Sequence, residues 1–123
     1  MYEYKAKVIR VLDADTIDVS IDLGFDVWVY QRVRLLGINT AEKNTELGKQ
    51  ASEYVKGLLP IGEMIILQSE KDKREKFGRY LAKVFFPTST VSINDILIQK
   101  GLAVEYWGIG KKENFVPQAT PLM

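Results

Sequence analysis

The sequence predicts a single domain of the α+β class that is mainly β. The first 36 residues hold three segments rich in β-branched and aromatic residues, and two later segments carry apolar residues at helical spacing. The chain has 123 residues and no cysteine, which excludes a disulfide framework or a thiolate zinc site. A chain of this length still buries enough surface to form one stable core.

The first half of the chain is predicted to be a β-meander. Residues 4–12 and 15–22 alternate in part between apolar and polar residues, and residues 13–15 make a tight connection between them. Gly24 marks a second turn, after which residues 27–36 form a long third strand. The first two strands should therefore pair as a hairpin.

A helix and two further strands are predicted to follow. Apolar residues recur at helical spacing over residues 46–59 and end before Pro60, which is typical of an amphipathic helix packed on a sheet. Strands are expected at residues 63–69 and 79–86, with a charged loop at residues 70–76 between them. The strand count thus reaches five.

A second helix is predicted to end at Lys100. Either Ser92 or Asn94 can cap its start, and Gly101 can end it in a left-handed conformation. Five strands and two helices in this order are compatible with a small Greek-key barrel. Periodicity alone does not separate such a barrel from another small α+β domain.

The composition narrows the possible chemistry. The chain contains no histidine, so an acid or base acting near neutral pH must be a carboxylate, a shifted lysine or tyrosine, or metal-bound water. Hydrolysis by a serine and histidine pair is therefore excluded. The formal net charge is only +1, so a surface that binds nucleic acid would have to be a local basic stripe.

The start of the chain and its hydropathy lead to an expectation about location. The first eight residues lack the apolar region of a signal peptide, and no apolar run approaches the ~20 residues of a membrane span. We expect a protein that stays in the cytoplasm and does not enter a membrane.

Polar residues in three separate segments suggest a site for phosphodiester chemistry. Hard oxygen ligands, a candidate base and two guanidinium groups are what a metal-dependent phosphodiesterase needs. Asp15 offers a carboxylate, Asn39 an amide oxygen, Thr40 a backbone carbonyl, and Glu42 a carboxylate that can bind through water, while Asp13 can support this shell from outside. The segments are residues 13–16, residues 34–42, and Lys76-Phe77-Gly78-Arg79.

Each of these residues also has a simpler interpretation. Asp13 and Asp15 can make an Asx turn, and Asn39 with Thr40 can make another. Arg34 and Arg79 each stand at the end of an apolar strand and can form salt bridges to Asp15 or Glu42 without any catalysis. The residues alone leave these alternatives open.

The candidate substrate contacts lie in the second half of the chain. Lys76 can hold a flanking phosphate, next to Phe77 and a glycine that allows close approach of a ligand. Tyr106 and Trp107 can stack on a base, or can equally cover one end of the barrel.

The order and spacing of the three segments resemble those of the staphylococcal nuclease (thermonuclease) family over roughly residues 6–107. The resemblance includes the helix start at residues 48–51 and the closing residues 101–103. It implies a five-stranded OB-fold Greek-key barrel with two packed helices, in a nuclease domain at residues 1–108 followed by a short C-terminal tail at residues 109–123.

The resemblance also implies an activity and the roles of the site residues. It implies a calcium-dependent, sugar-nonspecific nuclease that acts on DNA and RNA, prefers single strands and leaves 3′-phosphates. Asp15, Asn39 and the carbonyl of Thr40 would bind one Ca²⁺ ion, and Glu42 would orient or deprotonate the attacking water. The scissile phosphate would be clamped by Arg34 and Arg79.

The sequence departs from the family pattern at several positions. Asn39 stands where the family usually has aspartate, so calcium is expected to bind weakly. Ala41 replaces a proline and Phe77 replaces a tyrosine. The best-known members continue into a third helix soon after the position of Trp107, and self-association could replace that helix, so a monomer or a weak homodimer is expected.

The alternative to a nuclease is a catalytically inactive barrel that binds nucleic acid or a protein, because a fold can persist after its catalytic activity is lost. The departures at Asn39, Ala41 and Phe77 favour this alternative. The retention of Arg34, Glu42 and Arg79 together favours catalysis, which requires all three. A structural adaptor has no support from individual residues.

Overall fold

Two helices and seven strands follow one another in the part of the chain that the structure covers. A computed structural model describes residues 2–74 and 80–106. In chain order the elements are β1 (Tyr2–Asp13), β2 (Thr16–Asp22), β3 (Trp28–Leu35), β4 (Ile38–Thr40), α1 (Glu46–Leu58), β5 (Met64–Arg74), β6 (Tyr80–Phe85), α2 (Ile93–Gln99) and β7 (Ala103–Glu105).

Five strands close into a barrel in the order β1-β2-β3-β6-β5. The pairs are antiparallel except for β3 and β6, which run parallel. Alternate residues of each strand point into the barrel and form the core, as the side chains of Val8, Ile17, Val33, Ile65 and Val84 are almost completely buried. The prediction of a mainly β domain built on a five-stranded barrel with two helices is confirmed.

The strand β5 is longer than the sequence predicted. The charged residues 70–74 were expected in a loop, but the strand continues through Arg74, which pairs with Tyr80 after an irregularity in the register. The prediction was therefore wrong for these residues. A charged composition indicates that a segment contacts water, but it does not separate a loop from a strand. A strand can also face water while its backbone groups form hydrogen bonds with a neighbouring strand.

A second, two-stranded sheet was not predicted. The strand β4 pairs antiparallel with β7, with Asn39 opposite Val104 and Thr40 opposite Ala103. Gly37, with φ of 81°, makes the turn between β3 and β4, so the third strand ends earlier than residue 36. Asn39 and Thr40, for which an Asx turn was the simpler interpretation, therefore lie in a strand.

The helix α1 begins where the sequence predicted. The side chain of Thr45 caps it by accepting a hydrogen bond from the backbone N–H of Gly48 at 3.0 Å. The same hydroxyl donates to the backbone carbonyl of Glu42 at 2.7 Å. Ala51 and Val55 face the core. The cap therefore connects the helix directly to the segment that follows β4.

The helix α2 is capped by Ser92, one of the two predicted candidates, and is followed by Gly101 at φ of 74°. The other candidate, Asn94, is buried and holds three backbone groups of its neighbours. Its Nδ2 donates to the carbonyls of Leu36 at 2.8 Å and Ala82 at 3.3 Å, and its Oδ1 accepts from the N–H of Val84 at 3.1 Å. Asn94 thus ties α2 to both β6 and the turn after β3.

In the described ranges, α1 and α2 are both too short and too polar to cross a bilayer.

Candidate active site

The turn between β1 and β2 holds Asp15 at the edge of the barrel. Asp13 lies opposite Thr16 in the register, and its Oδ1 accepts a hydrogen bond from the N–H of Asp15 at 3.1 Å. This is the Asx turn that the sequence allowed. The backbone carbonyl of Asp15 accepts from the N–H of Leu35 at 2.9 Å. The carboxylate of Asp15 is 1% exposed and accepts from the Thr16 hydroxyl at 3.2 Å.

The pairing of β2 with β3 places Arg34 beside this carboxylate, because Thr16 lies opposite Arg34. Nη2 of Arg34 lies 3.4 Å from Oδ2 of Asp15 and donates to Oδ1 of Asn39 at 3.0 Å. Nη1 donates to the backbone carbonyls of Leu35 at 3.1 Å and Ile38 at 3.0 Å. The side chain is only 9% exposed, and four acceptors fix its orientation.

The two-stranded sheet of β4 and β7 places the next two candidate residues beside Asp15 and Arg34. Asn39 and Thr40 are both buried in β4. The hydroxyl of Thr40 donates to Oδ2 of Asp15 at 3.1 Å, the oxygen that also faces Arg34. The structure therefore brings four of the candidate residues together, and a paired strand holds two of them more rigidly than a turn would.

Tyr106 lies against this cluster. Its backbone N–H donates to the carbonyl of Gly37 at 2.9 Å, and its ring centroid is 5.7 Å from the guanidinium carbon of Arg34. An aromatic face at this distance attracts a cation. The ring therefore packs on the candidate catalytic arginine, which places Tyr106 at the site.

Glu42 differs from the other candidates because its side chain is exposed. Its backbone is nevertheless fixed, since its carbonyl accepts from both the N–H and the hydroxyl of Thr45, at 3.0 and 2.7 Å. Only Ala41 separates Glu42 from the buried Thr40. An exposed carboxylate therefore stands immediately beyond the buried cluster.

Among the described residues, the cluster is close to electrically neutral. The buried carboxylate of Asp15 faces the guanidinium of Arg34. Within residues 2–74 and 80–106, no three acidic side chains converge closely enough to hold a metal ion. The Asp15 carboxylate and the Asn39 amide oxygen are nonetheless of the hard type that Ca²⁺ accepts. The residues therefore fit calcium in donor type, with few charges to attract it.

Four of the predicted site residues lie outside the described residues: Lys76, Phe77, Arg79 and Trp107. Their proposed roles in binding substrate and in catalysis stay predictions, as do the domain bounds at residues 1–108 and 109–123.

The structure also adds partners that the sequence analysis missed. The carbonyls of Leu35 and Ile38 hold Arg34, but backbone groups leave no signal in a sequence. Gly48 was not assigned a role, although a Cβ at this position would overlap the backbone carbonyl of Glu42. A glycine inside a predicted helix is unfavourable by itself, so it was a signal that something approaches closely there.

Comparison with known proteins places these residues in a family. A family model described as staphylococcal nuclease homologue matches residues 32–119, which includes Arg34, Asn39, Thr40 and Glu42. Asp15 lies upstream of the matched segment.

Several individual proteins are similar over most of this chain. A micrococcal nuclease from Shigella flexneri is 31% identical over 116 residues, covering 89% of this chain and 62% of the relative. A thermonuclease from Staphylococcus hyicus is 35% identical over 107 residues, covering 82% of this chain and 59% of the relative. An uncharacterized endonuclease from Escherichia coli is 29% identical over 100 residues, covering 81% and 60%.

The chain spans only about half to three fifths of the length of the first curated relatives that it matches. The family model nevertheless covers more than half of this chain, and it runs through the strands that build the cluster around Arg34. The chain therefore belongs to the staphylococcal nuclease homologue family.

Proposed function

We propose that this protein is a metal-dependent phosphodiesterase that cleaves DNA and RNA as an endonuclease. The observation that carries the proposal is the guanidinium of Arg34, which four acceptors orient beside Asp15. Glu42, eight residues later in the chain, offers an exposed carboxylate beyond the buried Thr40. Relatives that are named as nucleases support the same activity.

Arg34 is proposed to stabilise charge that develops on the phosphoryl oxygens. Its four acceptors hold the guanidinium charge at a fixed position, and fixed positive charge beside developing negative charge is worth several kcal/mol of barrier. Arg79 is proposed as the second clamp on the same phosphate, with Lys76 and Phe77 at a flanking position and Trp107 beside a base.

Glu42 is proposed to act as the general base. In a chain without histidine, a carboxylate is the simplest acceptor for the proton of an attacking water. The water oxygen would attack phosphorus as its proton passes to Glu42, and the bond from phosphorus to the 5′ oxygen would break, with that oxygen taking a proton from solvent. The product strand would then end in a 3′-phosphate. The exposure of the carboxylate supports this role because the base must reach a bound substrate.

One calcium ion is proposed as the cofactor, held by Asp15, the Asn39 amide oxygen and the Thr40 backbone carbonyl. When bound, calcium would supply positive charge that polarises the phosphate. Asp13 would contribute indirectly, since its hydrogen bond to the N–H of Asp15 fixes the backbone of that residue. Weak affinity is expected because the site has few charges of its own.

Cleavage of single-stranded DNA by the purified protein tests this proposal. We expect cutting with millimolar calcium, none with a chelator, and a loss of about a hundredfold or more in Glu42→Gln. Glu53→Gln is the matched control, since Glu53 is an exposed glutamate on α1 outside the cluster. Full calcium-dependent activity in Glu42→Gln would rule out the proposed base.

The second candidate function is a barrel that binds single-stranded nucleic acid without cutting it. One observation favours it, namely that Asp15 and Asn39 both already accept hydrogen bonds from Arg34, so the cluster is satisfied without an ion. A protein of this kind would bind a strand with steep salt dependence and yield no product across the calcium series.

A further inference from the structure

One face of β3 extends from the turn between β2 and β3 to the candidate active site. Alternate residues of a strand share a face, so Trp28, Tyr30 and Arg32 lie on the same side of β3 as Arg34. The residues between them point the other way, and Val29 and Val33 line a cavity of about 370 Å³ within the barrel wall. We call Trp28, Tyr30 and Arg32 the outer row.

Two members of the outer row expose aromatic rings. Trp28 is 41% exposed at the first residue of β3, and Tyr30 is 53% exposed two residues further along the same paired strand. Nζ of Lys7, from the neighbouring part of β1, lies 5.0 Å from the centroid of the Trp28 ring. The apolar rings are therefore accompanied by a cation on the same face.

The third member of the outer row belongs to a cationic cluster. Asp18, on β2, is fully buried between two arginines, with Nε of Arg32 at 2.8 Å and Nε of Arg10 at 2.9 Å from its oxygens. Two guanidiniums share one carboxylate, which leaves one positive charge in excess at a fixed position. Both arginine side chains remain partly exposed to solvent. Asp22 lies opposite Trp28 on the same face, but the three cations Lys7, Arg10 and Arg32 outnumber the carboxylates of Asp18 and Asp22. The outer face thus combines aromatic rings with excess positive charge.

We propose that the outer row is a stacking platform for the bases of a single-stranded nucleic acid whose scissile phosphate lies at Arg34. This inference rests on the proposed function, because it extends the path of the same substrate away from the site. Sequence-independent binding of single strands needs a cationic surface for the phosphates and aromatic faces for the bases, and this face supplies both. A duplex keeps its bases stacked on one another and would not use the rings.

The dimensions of the strand agree with an extended ligand. Successive members of the row are about 6.6 Å apart, and the row from Trp28 to Arg34 covers about 20 Å, from the rise of a strand. A strand of several nucleotides can therefore contact the site and both rings at once, whereas a very short one can contact the site alone. The platform consequently predicts that affinity depends on strand length.

The test compares short and long oligonucleotides in variants of the two rings. Binding of labelled oligothymidylates of about three and about twelve nucleotides is measured by fluorescence anisotropy, with a chelator present so that nothing is cut. We expect Trp28→Ala and Tyr30→Ala each to weaken binding of the long strand by about fivefold or more and to leave the short strand unaffected.

Two further variants separate stacking from other effects. Tyr30→Phe keeps the ring but removes the hydroxyl that hydrogen-bonds to Asp18, so it should bind the long strand as the wild type does. Tyr2→Ala is the matched control, because Tyr2 is 46% exposed but lines the cavity away from the outer row. If either alanine variant unfolds, Trp28→Leu and Tyr30→Leu keep apolar cover over the strands and remove the aromatic face.

The outcomes distinguish this inference from the proposed function. In one outcome, the wild type cuts DNA while the alanine and leucine variants bind the long strand as tightly as the wild type does. This result would overturn the proposed stacking platform and leave the proposed nuclease activity standing. A wild type that binds the long strand through the rings but never cuts it overturns the nuclease alone. An equal loss for short and long strands, or a ring effect confined to a protein ligand, also overturns the platform.

Discussion

Gly48, in the first turn of α1, packs directly against the backbone carbonyl of Glu42. A Cβ at Gly48 would overlap that carbonyl oxygen and lie 2.7 Å from the carbonyl carbon. The contacted atoms are backbone, which cannot rotate away as a flexible side chain can. The absence of a side chain at one residue therefore sets the position of the proposed general base.

The first prediction concerns Gly48→Ala. The added methyl group must displace the segment that carries Glu42 or the start of α1. We expect cleavage to fall at least tenfold, since small misplacements of catalytic groups have large effects, and the free energy of unfolding to fall by about 1–3 kcal/mol. Cleavage rates and urea unfolding measure the two effects.

The control for this prediction lies in the same helix. A Cβ at Gly57 would meet no atom within 4 Å, so Gly57→Ala should stabilise the helix by about 0.5–1 kcal/mol and leave cleavage unchanged. If Gly48→Ala kept full activity, Gly48 would not position Glu42.

The second prediction concerns Asn39→Asp. The amide oxygen already lies in the cluster and accepts from Arg34, so a carboxylate keeps that hydrogen bond and adds a negative charge near Asp15. We expect calcium affinity to rise by about tenfold, because affinity at such sites follows the number of charged ligands. Titration calorimetry measures the affinity without relying on activity, and an unchanged value would count against Asn39 as a ligand.

The third prediction concerns stability in acid. Burial raises the pKa of the Asp18 carboxyl, but hydrogen bonds from Arg32, Tyr30 and Arg10 outweigh it and lower this pKa from 3.8 to about 2. A lowered pKa contributes stability above pH 4 that is lost as the pH falls toward 2. After allowance for the exposure of the arginines, the contribution is about 1 kcal/mol.

The test for Asp18 is the pH dependence of urea unfolding in Asp18→Asn. We expect the variant to be less stable than the wild type at pH 6 and the difference between them to shrink between pH 4 and pH 2. Glu53→Gln, at an exposed position on α1, should follow the wild-type curve. A difference that stayed constant down to pH 2 would show that Asp18 does not contribute through its charge.

The fourth prediction concerns Ser52 in α1. Its side chain is buried, and its hydroxyl has no hydrogen-bond partner among the described residues. Ser52→Ala removes an unsatisfied polar atom and introduces a better helix former, so we expect thermal unfolding to show a gain of about 0.5–1 kcal/mol. A loss of stability would mean that the hydroxyl finds a partner.

Local patterns in the sequence predicted the barrel strands and the helix starts well. Alternation marks the hairpin of β1 and β2 because each strand has one buried face, and the cap at Ser92 satisfies helix N–H groups through a side chain close by in sequence. Such signals are contained in a few neighbouring residues.

Other features depend on contacts between distant segments and could not be predicted in this way. The strand β4 has three residues, too few for a periodic signal, and it exists because β7 pairs with it some 60 residues later. The acceptors around Arg34 also depend on strand register. Candidate site residues were visible as residue types, but the geometry that joins them was not.

The side chain of Asn94 links the completion of the barrel to the completion of the site. Its bonds join α2 to β6 and to the turn that leads into β4, and β4 in turn needs β7 at residues 103–105. The part of the cluster that Asn39 and Thr40 supply therefore depends on the last described strand, whereas the pairing of Asp15 with Arg34 depends on β2 and β3. A chain whose synthesis stops before residue 103 would therefore lack the strand that holds Asn39 and Thr40 in place, even with the barrel strands complete.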